Sequence, residues 1–168
     1  MKTRDVTYCA LFTALIAIGS KIQIPLMAGM HFTLQWLFVL LAGLLLNRKN
    51  ACLCLISYLI LGLVGIPVFA SGGGFSYLVK PTFGFLFGFL VAIWIMTSIN
   101  KSNFIKTIAG LLAYYGCGFI YYYGMMVLFY QQPIGFLMAF VNCFMTIIPD
   151  FILCLVACEL VKHIKIAP

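Results

Sequence analysis

Acidic residues are nearly missing from this chain: three among 168, against ten Lys and Arg. Charged residues of both signs make up 8% of it, where a soluble domain carries roughly 25%. So few charges cannot cover a water-soluble globule, and the solvent for most of the chain is lipid. There is no G-x-x-x-x-G-K-[ST] loop, which excludes ATP binding through a P-loop. No paired acids and no H-E-x-x-H pattern point to an enzyme, and neither a catalytic residue, a metal site nor a cofactor is expected. Internal repeats, low-complexity tracts and a soluble domain are absent too. If the chain moves a solute, another chain supplies the energy.

What fills the sequence is apolar: 65% hydrophobic residues and a mean hydropathy of +1.16. Its length fits one domain, residues 1–168, with about 25 to 30 residues per span and loop, or roughly six helices. The net charge of +7 does not indicate nucleic acid, because the basic residues are scattered between apolar runs and form no continuous face. Seven cysteines is an odd number, and nearly all lie inside apolar runs, where they read as small packing residues. The start, Met1-Lys2-Thr3-Arg4 followed by an apolar stretch, resembles a signal peptide. It carries no convincing small-residue cleavage site and reads as a retained first helix.

Apolar runs bounded by charges or Gly/Pro clusters place spans at about 6–19, 34–46, 51–66, 83–99, 108–129 and 149–161. Each must be helical or buried in protein, since lipid satisfies no backbone group. The short apolar stretch 134–148 reads as a helix at or partly entering the surface. The competing reading joins it to the last span as one long kinked helix. Pro149 falls in the first turn of that span, with Asp150 near its N-terminus. One set of ends carries Lys2, Arg4, Arg48, Lys49, Lys101, Lys106, Lys162 and Lys165, and the other only Lys21 and Lys80. That bias predicts an all-α membrane protein of six transmembrane helices with both termini cytoplasmic.

The long outward loops, 21–31 and 68–77, bear glycines and aromatics and read as a cover over an outward-facing ligand cavity. Isolated polar groups are costly in a membrane and mark candidate sites. Asp5, beside Arg4, reads as a solvated end charge, and Glu159 as a local helix partner of Lys162 and His163. Asp150 stands alone in an apolar stretch, with a plain N-terminal cap as its structural alternative. Lys80 either snorkels to the headgroups of membrane lipid, pairs with Asp150, or serves a ligand. Topology brings Asp150, Lys80, Thr82 and Gln35 to one depth, with Phe69, Phe75, Tyr77 and Trp36 near them. That predicts a mainly apolar pocket with few polar anchors, suited to a ligand with a carboxylate, a polar ring and an apolar body. His31 either joins it or faces headgroups. Ala10, Ala14 and Ala17 form a small-residue face on the first helix, for packing within the chain or docking to a partner.

The stretch Phe32-Thr33-Leu34-Gln35 with 38–46, then Gly62-Leu63-Val64-Gly65-Ile66-Pro67-Val68-Phe69, the triple glycine 72–74 and Lys80-Pro81-Thr82-Phe83-Gly84-Phe85 resemble the biotin-specific S component of energy-coupling-factor transporters. The start at Ala10–Leu15 and the late Pro149-Asp150 fit as well, and the fifth helix reads as generic. The resemblance implies a six-helix subunit that captures biotin outside the cell. It also implies association with a transmembrane coupling protein and two ATPase subunits, docked through the face of Ala10, Ala14 and Ala17. The family pattern has a glycine between Pro and Asp and a lysine three residues after the Asp. Here Pro149 abuts Asp150 and position 153 is Leu. On this reading Lys80 neutralises the ligand carboxylate, Asp150 accepts from the ureido N–H groups, and Gln35 donates to the ureido oxygen. The loop holding Gly72, Gly73 and Gly74 closes over the ring, with Tyr77 or Trp36 packed on it, and Thr82 completes the wall. The alternatives are an S component for thiamine or riboflavin, a non-catalytic membrane anchor subunit, and an intramembrane enzyme using Cys or Asp150 with His31.

Overall fold

The computed structural model describes residues 3–26, 31–131 and 134–164. Seven α-helices make up most of it: α1 (Thr3–Lys21), α2 (Gln35–Leu45), α3 (Arg48–Val64), α4 (Phe83–Ser98), α5 (Asn103–Gly124), α6 (Phe136–Phe144) and α7 (Ile147–His163). A wider π turn, Met125–Phe129, continues α5, and a 3-10 turn, Phe75–Val79, precedes α4.

Local chemistry sets several of these limits. Asn47 caps α3 by accepting from the Asn50 backbone N–H at 2.9 Å. Gly65 ends that helix with φ at +117°, a left-handed turn that only glycine adopts at low cost. Asp5 accepts from Asn50 Nδ2 at 3.0 Å, so this acid joins α1 to α3 and is not merely a solvated end charge. Glu159 does pair with Lys162, at 2.6 Å, and lies 3.8 Å from His163, as the helical spacing predicts.

The core is apolar, with Ile16, Trp36, Leu40, Leu55, Tyr58, Phe69, Ile93 and Met96 fully buried. The short helix α2 packs on α1, α4 and α7 and buries Trp36, Val39, Leu40, Leu41 and Ala42. Glycines bring α4 and α5 close: a Cβ on Gly88 would stand 2.9 Å from the Tyr114 carbonyl oxygen. Cys9, Cys54, Cys143 and Cys154 are buried, and all seven cysteines are free thiols.

The molecule departs from the sequence reading in one place, and in another it follows the first of two readings. The first outward loop is not wholly irregular, because β1 (Gln23–Pro25) and β2 (His31–Thr33) pair antiparallel, with Ile24 opposite Phe32. The stretch 134–148 divides between α6 and the first turn of α7, with only Met145 and Thr146 between the helices. It is therefore not one unbroken helix.

Two helical stretches of the described residues, 103–129 and 136–163, are long and apolar enough to cross a membrane, and α2 and α4 are shorter apolar helices. The outer surface carries large apolar side chains, among them Leu112 at 69%, Ile120 at 74%, Leu128 at 81% and Ile148 at 72% exposure. Apolar patches of that extent do not face water in a stable monomer, and they match a protein surrounded by lipid.

Candidate functional site

A chamber opens where β2 and the N-terminal ends of α2 and α4 meet α5 and the start of α7. Phe85, Leu86, Phe89 and Tyr114 make its apolar wall. Phe89 and Tyr114 lie nearly parallel, with centroids 5.0 Å apart, and Trp36 stacks behind them at 4.7 Å from Tyr114. The polar positions on the wall are His31, Thr33, Gln35, Tyr77, Thr82 and Thr146. His31 Nδ1 and Trp36 Nε1 are buried and have no hydrogen-bond partner among the described residues.

The segment after α3 forms one side of the chamber through Ala70 and Tyr77, and it is fastened down. The Val68 carbonyl accepts from Ser20 Oγ at 2.5 Å and Tyr58 OH at 3.1 Å. Lys21 Nζ donates to the Phe69 carbonyl at 2.7 Å, Gln23 Nε2 to Ala70 at 3.2 Å and Lys80 Nζ to Ser71 at 3.4 Å. Gly74 N–H donates back to the Gly62 carbonyl at 2.7 Å. Gly73 rests directly on the Ile66 carbonyl, where any Cβ would collide. Gly72 and Gly74 have φ of +116° and +103°, which L side chains rarely adopt.

Opposite, at the first turn of α7, Asp150 is 3% exposed. Its Oδ2 accepts from Tyr115 OH at 2.6 Å, and the same hydroxyl lies 2.8 Å from Thr146 Oγ1. The carboxylate therefore reaches across to α5 and is not a simple helix cap.

The predicted ligand residues thus fall into four groups. Gln35, Tyr77 and Thr82 are on the chamber wall. Lys80 stands at the rim, its ammonium 4.6 Å from the centre of the Tyr77 ring, and makes no ion pair with Asp150 among the described residues. Asp150 is one residue behind the wall, linked to it through Tyr115 and Thr146. Gly73 and Gly74 shape the fastened segment and do not line the chamber. Tyr77, not Trp36, presents its ring there, since Trp36 is covered by Phe89 and Tyr114. Gln35 also donates from Nε2 to Tyr58 OH at 3.0 Å, which holds its amide and occupies one of its donors.

Sequence reasoning passed over Thr33, Phe85, Phe89, Tyr114, Tyr115 and Thr146 and left His31 undecided. The fifth helix supplies both tyrosines. The one signal available was the density of tyrosine in an otherwise apolar span, as hydroxyls at membrane depth need partners. Ala10, Ala14 and Ala17 line an exposed groove between α1 and α3, away from the chamber.

The fold is that of an S component. The chain superposes on a crystal structure of the S component for biotin from an ECF-type ABC transporter with a TM-score of 0.82, over 96% of this chain and 90% of that one, at 22% identity. It belongs to the BioY family, whose model matches residues 1–167. Similar curated proteins include a probable biotin transporter of Lysinibacillus sphaericus, 36% identical over 96% of this chain and 87% of its own. A biotin transporter of Thermotoga maritima is 40% identical over 78% of each chain, and one of Rhizobium etli is 30% identical over 99% of this chain and 95% of its own. The chain is thus a member of a membrane-transporter family, not of an enzyme family.

Proposed function

We propose that this chain is the substrate-binding subunit of a biotin uptake system. The observation that carries the reading is membership of the BioY family over residues 1–167. The chamber supports it, because an apolar body with a polar ring and one carboxylate suits its aromatic wall and few polar positions. In this reading the ring enters toward Thr146 and Asp150, and Gln35 turns its amide to the ureido oxygen. The aliphatic chain runs past Tyr77, and Lys80 at the rim meets the carboxylate.

The chain crosses a bacterial plasma membrane six times with both termini in the cytoplasm and the chamber mouth outside. The eight-to-two split of Lys and Arg between the two sets of helix ends supports that orientation. The groove bearing Ala10, Ala14 and Ala17 takes a helix of a transmembrane coupling protein, which two ATPase subunits drive.

The test is biotin binding by the purified subunit in detergent, with desthiobiotin and thiamine as competitors. Saturable binding that desthiobiotin weakens and thiamine leaves alone is the expected result. Displacement by thiamine, or no biotin binding, rejects the assignment.

A further inference from the structure

Tyr115 has no part in the reading above, yet it is the side chain that holds Asp150. Three aromatic neighbours fix its ring: Phe144 stacked at 5.0 Å, Tyr114 edge-on at 4.9 Å and Phe85 edge-on at 6.2 Å. These come from α4, α5 and α6, so the hydroxyl position is set by three helices at once. A tyrosine hydroxyl has one proton, and here it goes to Asp150 Oδ2 at 2.6 Å. The contact at 2.8 Å with Thr146 Oγ1 must then run the other way, with Thr146 donating. Thr146 is on the chamber wall, and with its proton committed to Tyr115 it offers the chamber only lone pairs. Among the described residues, no Lys, Arg or His forms an ion pair with Asp150.

From this chain of hydroxyls we infer that Tyr115 is a positioning residue, which turns the α7 end of the chamber into an acceptor-only surface that selects a ring carrying N–H donors. The inference rests on the biotin reading and names how the ring end is recognised. It differs from an account in which Asp150 acts alone, because removing one buried oxygen on α5 reaches the ligand through two other residues.

The experiment uses the full-length subunit in detergent, titrated with biotin and with a biotin methylated at a ureido nitrogen. Tyr115→Phe is expected to weaken biotin binding about tenfold, the size of one charge-assisted hydrogen bond. Combined with Asp150→Asn it should weaken binding no further than Asp150→Asn alone, because the two act as one unit. The methylated ligand should lose most of the difference between wild type and Tyr115→Phe, which a purely structural role would leave intact. Should Tyr115→Phe fail to fold, Thr146→Val probes the same chain, with Thr146→Ser restoring binding. Wild-type affinity in Tyr115→Phe, or in Thr146→Val, overturns the inference, as do penalties that multiply in the double variant. Absence of biotin binding by the wild type is read first and rejects the parent reading and this one together.

Discussion

A methyl group is enough to test how the chamber side is seated. At Gly73 an added Cβ would press into the Ile66 carbonyl and come within 3.0 Å of the Gly62 oxygen, both backbone atoms. Overpacking of that kind costs about 1–3 kcal/mol, so Gly73→Ala should lower the melting temperature in detergent and weaken biotin binding together. At the rim and behind the wall, the expectation is different. Lys80→Ala and Asp150→Ala each remove one charge-assisted contact and should each weaken biotin binding about tenfold or more, by isothermal titration. Wild-type affinity in both would disprove the assigned roles. The polar side chains stranded in apolar sequence (Gln35, Tyr77 and Thr82 among them) were legible because lipid makes such residues conspicuous. Tyr114, Tyr115 and Thr146 were not, because a hydroxyl in an apolar helix looks the same whether it faces a chamber, a neighbour or a headgroup.

Among the elements, the segment from Ile66 to Gly74 is distinguished by how many others hold it. Ser20 and Lys21 come from the end of α1, Gln23 from β1 and Tyr58 from α3. Tyr58 is central: it donates to the Val68 carbonyl and accepts from Gln35. Tyr58→Phe leaves one buried Gln35 donor unpaired, at about 1–3 kcal/mol, and leaves the Val68 carbonyl with Ser20 as its one remaining donor. A lower melting temperature and faster proteolysis of the 66–74 segment should report it, and an unchanged melting curve would contradict the fastening described. Helix positions were readable from charges and Gly/Pro punctuation, within a few residues at each end. The hairpin was not, since strands of three residues carry too little alternation to show a period. The break at Met145–Thr146 lacks glycine or proline at the break itself, so the sequence left a continuous helix open.

For the whole molecule, the two functions proposed occupy different surfaces. The chamber lies among α2, α4, α5 and α7, and the small-residue groove between α1 and α3. Tyr58 and Val68 belong to the groove as well as to the fastening behind Gln35, so it is substitutions on the α1 side of the groove, at Ala10, Ala14 or Ala17, that should spare the chamber. Ala14→Trp fills the groove, and it should leave biotin binding by the isolated subunit unchanged while abolishing biotin-dependent growth in cells that supply the coupling protein and ATPases. Loss of binding in detergent would show instead that the groove is part of the chain's own packing. The fold class was plain from composition, because a chain with 8% charge has one solvent open to it. Loop asymmetry raised the expectation of a chamber near one set of helix ends, but its walls depend on how α5 turns about its own axis, and only packing fixes that.

The pinned carbonyls set a rule for any guest. Both lone pairs at Val68 and at Phe69 are already taken, the latter by Lys21 and by the Gly72 N–H, and Ala70 and Ser71 each receive a lysine or glutamine donor. Every main-chain oxygen from Val68 to Ser71 is thus already engaged at least once, so discrimination there rests chiefly with replaceable side chains. Retuning such a receptor for a differently substituted cargo would then fall to a wall position outside the fastening, such as Thr82, since Gln35 also holds Tyr58 and Thr146 also holds Tyr115.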